Sequence, residues 1–144
     1  MPKLTIELVP RGVWYTNLRS EIPKEQWDLL RRKTYRAADY RCEICGGVGP
    51  QWPVECHEKW EYDDIRHIQR LVSLQALCTD CHRAKHAGRA QVRGETDLVI
   101  QHLMKVNEMS RSAALEYIDE ALATWLERST HEWEQDLAWL KWEE

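Results

Sequence analysis

Two Cys-x-x-Cys pairs, Cys42–Cys45 and Cys78–Cys81, constrain this chain more than any other feature of it. They are separated by 32 residues. Brought together, they set four thiolates around one point, the arrangement that structural zinc prefers. The residues between them become a loop tied at its base. Gly46 and Gly47 directly follow the first pair. They supply the freedom in φ that lets backbone amides turn toward sulfur. A redox role would need one Cys-x-x-Cys beside a βαβ pattern, and the sequence has no such pattern. A zinc site of this kind contributes on the order of 10 kcal/mol of folding free energy in small modules. Cys56 is left outside both pairs.

At 144 residues the chain has the size of one domain and can bury a core without disulfides. No apolar run reaches the roughly 18 residues of a membrane span, so no membrane partner is expected. The first ten residues alternate polar and apolar rather than forming the apolar centre of a signal peptide. The expected location is cytoplasmic, where paired thiols favour metal over disulfide. The net charge of −4 is unevenly spread. Residues 1–107 carry 17 Lys+Arg against 14 Asp+Glu, and residues 108–144 carry 3 against 10. A mildly basic body can approach phosphate, whereas an acidic tail cannot. That tail holds Trp125, Trp133, Trp139 and Trp142. It suits a protein partner or a second copy of the chain, or is simply a solvated face.

Periodicity places the elements. Leu4, Ile6 and Leu8 alternate with Thr5 and Glu7, which predicts a short strand stopped by Pro10. Val13 to Thr16 follows as a second strand, making an N-terminal β-hairpin. Trp27, Leu30, Thr34 and Ala37 recur at helical spacing over 24–38, opposite Arg31, Arg32, Lys33 and Arg36. Residues 54–62 and 67–74 read as two strands joined by a turn at Asp63-Asp64. Cys78 to about Gly88 reads as a helix closed by that glycine. Helices follow over 95–106 and, capped by Ser110, over 110–127. Residues 133–140 fit a strand or a helix. A strand paired with residues 4–9 would give the hairpin something to pack on. The expected fold is α+β, with boundaries at 1–40, 41–90 and 91–144 inside one compact domain.

The histidines supply the chemistry. His82 and His86 are four apart on a helix, so both rings leave one face. His57 and Glu58 lie on the strand expected beside that helix. Together they make a site for a divalent ion with a base next to it. The ion would polarise a phosphoryl oxygen, and His57 would take a proton from the attacking water. His67, His102 and His131 have no such setting and read as ordinary surface or core residues.

With these residues in view, the stretch from Arg41 to about Arg89 resembles the HNH endonuclease family. The closing segment Leu74-Gln75-Ala76-Leu77-Cys78-Thr79-Asp80-Cys81-His82-Arg83-Ala84-Lys85-His86 carries the likeness. The segment from His57 to Asp64 resembles a small bacterial or phage subgroup of that family, which would put the protein in a host cell's cytoplasm. The resemblance implies a ββα-metal finger with a structural zinc on Cys42, Cys45, Cys78 and Cys81. It implies His57 as general base, and His82 and His86 as ligands of a catalytic Mg2+, Mn2+, Ni2+ or Zn2+. It implies DNA as the partner and metal-dependent phosphodiester hydrolysis as the activity. Two positions depart from the family pattern. Cys56 stands where an acid or histidine precedes the base, and Ser73 stands at the middle asparagine. Cysteine is a soft ligand and a poor partner for magnesium. Glu58 and Glu55 are the two acids that can substitute, and Glu58, sharing a strand face with Cys56, is the expected one in the catalytic site and its metal shell. Two other readings remain: a catalytically weak zinc module that binds nucleic acid or a protein partner, and a nicking or RNA-directed member of the same superfamily.

Overall fold

The structure, a computed structural model, describes residues 2–13 and 18–142. In chain order the helices and strands are α1 (Leu18–Glu21), α2 (Lys24–Ala37), β1 (Glu55–Asp63), β2 (Ile68–Leu77), α3 (Thr79–Lys85), α4 (Ala87–Val92), α5 (Thr96–Asn107), α6 (Arg111–Arg128) and β3 (Glu134–Asp136). Short 3-10 turns cover Arg11–Val13 and Ala138–Trp142. The architecture is mixed α+β around one three-stranded sheet ordered β1-β2-β3.

β1 and β2 form an antiparallel hairpin that runs from Glu55 opposite Leu77 to Asp63 opposite Ile68, with a register shift between Lys59 and Trp60. The Asp63 carboxylate closes the turn by accepting the amides of Ile65 at 3.0 Å and Arg66 at 2.9 Å. This is the local bonding that favours aspartate in turns. His67 completes the reversal with φ 56°. α3 follows β2 directly, and Cys78 caps it by accepting the Cys81 amide on its sulfur.

Apolar groups gather on the two faces of this hairpin–helix unit. One cluster joins Leu77, Ala84 and Cys81 to Val99, Ile100 and Leu103 of α5 and Ala114 and Ile118 of α6. The other joins Leu71 and Leu74 of β2 to Leu18, Trp27 and Leu30 of α1 and α2. The expected amphipathic helix over 24–38 thus buries Trp27 and Leu30. The Ser110 cap is present, its oxygen accepting the Ala113 amide at 3.1 Å.

Three expectations need correction. Residues 4–9 form no strand. Their alternation is real, for Leu4 is buried and Ile6 and Leu8 pack on the α5–α6 cluster. Their backbone, however, bonds to side chains and a helix end rather than to another strand. Leu4 exchanges two bonds with the Asn107 side chain at 2.7 and 2.9 Å. The Ile6 amide donates to the Tyr117 hydroxyl at 3.2 Å, and the Trp125 indole donates to Val9 O at 2.9 Å. The segment is an extended strap, and most of the second strand expected for the hairpin lies outside the described residues. The C-terminal strand exists but is short, and it pairs in parallel with β2, Gln135 opposite Gln69, instead of with residues 4–9. The buried side chains decide this: Gln135 donates to Gln69 at 2.8 Å, and Trp133 packs edge-on to Tyr62 at 5.5 Å. Finally, the helix over 78–88 is two helices. The chain breaks at His86 (φ −108°, ψ 50°), and Gly88 lies inside α4.

Candidate metal centres

Cys42 and Cys45 lie in the loop after α2, and Cys78 and Cys81 flank the start of α3. Their sulfurs all lie within 4.8 Å of one another. Cys45 and Cys78 are 3.6 Å apart, against about 3.8 Å for the edge of a tetrahedron with zinc–sulfur bonds of about 2.3 Å. Backbone amides turn onto the sulfurs. Ile44 and Cys45 aim at Cys42 at 3.4 and 3.5 Å, and Gly47 aims at Cys45 at 3.4 Å. Gly46, with φ +76°, makes that turn. Glu43 ties the knuckle to the end of β2, exchanging bonds with the Ala76 backbone through its amide and its carboxylate. Bonds from Cys78 and Cys81 hold Cys42 well below the thiol range, bonding to Cys42 pushes Cys78 up to about 12, and bonding to Cys42 and Cys78 pushes Cys81 higher still. The four sulfurs could hold zinc. The His102 ring supports Cys81, its Nε2 lying 3.1 Å from the sulfur.

The second cluster is His57, His82 and His86, one ligand atom of each lying within 4.8 Å of the others. Ring centroids are 5.3 Å apart for His57–His82, 5.4 Å for His57–His86 and 4.9 Å for His82–His86. β1 presents His57 to the helix, and the one-turn spacing of His82 and His86 survives the break at the end of α3. Burial keeps His57 below its ordinary value, helped by the nearby His82. Burial also lowers His86, to about 3. Both rings are therefore neutral near pH 7, the form that ligates metal or accepts a proton. His57 is 4% exposed, and its Nε2 has no hydrogen-bond partner among the described residues. Three imidazoles this close offer the donor set of a divalent ion.

Strand parity sorts the acids around this cluster. Side chains of β1 alternate between faces. Cys56 and Glu58 point toward α2, where Cys56 packs with Leu71 and Trp27 and the Glu58 carboxylate accepts the Leu18 amide. Burial and the neighbouring Glu58 push the Cys56 thiol up to about 12. The structure therefore brings together His57, His82 and His86 but not Glu58. Glu55 has the parity of His57 and takes the place beside it. Its Oε1 lies 2.7 Å from His82 Nδ1, and its Oε2 accepts the Trp52 indole at 2.8 Å and the Thr79 hydroxyl at 3.2 Å. Burial would raise Glu55, but these partners outweigh it and hold the carboxylate ionised. Gly49 allows the close approach of this loop: a Cβ there would sit 2.6 Å from Trp52 O and 2.8 Å from Thr79 Oγ1.

A second acid arrives from the strap. Glu7 Oε1 lies 3.7 Å from His57 Nε2, while Oε2 accepts Lys85 Nζ and the Thr5 hydroxyl. Burial opposes its charge, yet His57 and the Lys85 ammonium prevail and hold Glu7 at about 2. Sequence parity with His57 points to Glu55. Nothing local marks Glu7, which lies fifty residues from its partner, or His102.

A cleft of about 720 Å³ opens beside His82 and His86. Arg19, Arg31, Arg83, Arg89 and Arg93 line it. Arg31 pairs with Asp28 and Arg83 with Asp80, while no described ion pair engages Arg19, Arg89 or Arg93. Three of the tail tryptophans have described surroundings: Trp133 is buried, Trp139 packs on the α2 cluster, and Trp125 bonds to the strap, whereas the side chain of Trp142 lies outside the described residues. No helix among the described residues is long and apolar enough to cross a membrane. No family model, no curated protein and no solved structure matches the chain.

Proposed function

We propose that the chain is a metal-dependent endonuclease of the HNH type that hydrolyses phosphodiester bonds in DNA, with β1, β2 and α3 as its ββα-metal finger. The observation that carries this reading is the convergence of His57, His82 and His86 within 4.8 Å, on a hairpin, the helix that follows it and the break at that helix's end. His82 and His86 would hold a divalent ion. When bound, that ion supplies charge stabilisation at the scissile phosphate and its leaving oxygen. Glu55 accepts from His82 Nδ1, which would leave Nε2 as the nitrogen available to an ion. His57, buried and neutral, takes the proton from the attacking water. The arginine cleft gives the phosphate backbone a path to the histidines, and Arg89 and Arg93 are free to meet it. The four cysteines would hold structural zinc and so tie the two ends of the finger together.

Supercoiled plasmid incubated with Mg2+, Mn2+, Ni2+ or Zn2+ tests the reading. Wild type should cut with at least one metal, and His57→Ala should cut roughly 10²- to 10⁴-fold more slowly. Equal cutting by both proteins, or none by either, would sink it. Replacing Arg89 and Arg93 with alanine should flatten the dependence of DNA affinity on salt by about one logarithmic unit per charge.

A further inference from the structure

Residues 4–9 do more than cover a helix pair. They carry one carboxylate into the interior, and its two oxygens have different neighbours. Oε2 accepts the Thr5 hydroxyl at 2.6 Å and the Lys85 ammonium, itself only 3% exposed. Oε1 is left facing His57 Nε2 at 3.7 Å. That nitrogen is buried and has no hydrogen-bond partner among the described residues. The gap is a few tenths of an ångström beyond a hydrogen bond. The strap is held in register by Asn107, Tyr117 and the Glu7 amide's bond to Lys85 O at 3.4 Å. A neutral imidazole beside a fixed carboxylate turns its N–H toward it.

We infer that Glu7 is a positioning residue for His57, accepting its Nε2–H, fixing that tautomer and leaving the lone pair on Nδ1 to receive a proton. This rests on the reading of His57 as the base. The competing account gives Glu7 one task, neutralising Lys85, and leaves the His57 tautomer free. The two accounts differ in a measurable way. In Glu7→Gln the amide oxygen can still accept Lys85, and the NH2 group then faces His57 Nε2. Only a nitrogen with a lone pair can accept from it, so the ring must move its proton to Nδ1.

Long-range proton–nitrogen correlation on zinc-loaded full-length protein, labelled with 15N-histidine, reads this directly. Wild-type His57 should be the Nε2–H tautomer at neutral pH, and Glu7→Gln should convert it to Nδ1–H. In the plasmid assay the same variant should lose roughly 10²- to 10⁴-fold in kcat with KM unchanged, in the manner of a misdirected tautomer. An Nδ1–H tautomer in wild type, or one tautomer in both proteins, overturns the inference. The wild-type spectrum decides even where the variant does not fold. A tautomer switch in a protein that cuts no plasmid would count against the nuclease reading and for the Glu7–His57 pairing.

Discussion

Glu55 and Glu58 sit three residues apart on one strand, and the pleat sends them to opposite sides of the sheet. Glu58 shares its face with Cys56, as expected from the alternation, but that face packs on α2 while the histidines lie on the other. The acid that meets the cluster is Glu55, through His82 Nδ1. Glu55→Gln should weaken divalent-ion binding to the zinc-loaded protein by about 10- to 100-fold. Titration with Mn2+ followed by electron paramagnetic resonance would measure this, and wild-type affinity would separate Glu55 from the site. Tyr62 is legible only in the structure. Burial beside Trp133 pushes its phenol up to about 12, against about 10 in an unfolded chain. The unfolded state therefore ionises first. The contribution is complete below pH 10 and is lost between pH 10 and 12, at most about 2–3 kcal/mol. Urea midpoints collected from pH 9 to 12 should fall more gently in Tyr62→Phe than in wild type. Parallel curves would assign the alkaline loss elsewhere.

At the level of elements the strap is the least expected part. An alternating apolar pattern needs an extended chain, but it does not need a neighbouring strand. Here side chains of α5 and α6 satisfy the backbone, Asn107 taking both the amide and the carbonyl of Leu4. Asn107→Ala should cost about 1–3 kcal/mol by unfolding in urea. Amide exchange should quicken at Leu4 and Glu7 while β1 and β2 stay protected. Unchanged exchange in the strap would show that its apolar contacts alone hold it. The break between α3 and α4 is equally hidden from a reading of periodicity, because the apolar positions Ala84, Ala87 and Ala90 continue across it.

For the molecule as a whole, the knuckle is the join. It fastens the loop after α2 to the start of α3, and Cys42, Cys78 and Cys81 are part of the core that α5 and α6 complete. Purified protein should hold one tightly bound zinc. Stripping it with a strong chelator should remove folding free energy on the order of 10 kcal/mol and leave the far-ultraviolet dichroism of a largely unfolded chain. Alkylation counts give a second readout. In the loaded protein only Cys56 lies outside the zinc set, and its raised, packed thiol should react slowly. After chelation all five cysteines should react within minutes. Retained structure after complete zinc loss would show that the apolar cores suffice.

By itself the sequence determined the paired-cysteine knuckle, the hairpin between its halves and the helix that starts at the second pair, the amphipathic helices α2 and α6, and the grouping of His57 with His82 and His86. These depend on spacings of two to four residues and on the reversal they impose, which local geometry controls. Only the tertiary structure decided that residues 4–9 lie as a strap, that β3 joins β2, that the Glu58 face packs away from the histidines, and that Glu7 and His102 reach the two clusters. Those outcomes depend on which side chains satisfy buried groups at a distance: Asn107 for Leu4, Gln69 for Gln135, Lys85 for Glu7. A pattern along the chain carries the period of an element, but not the identity of the group that will face it across the core.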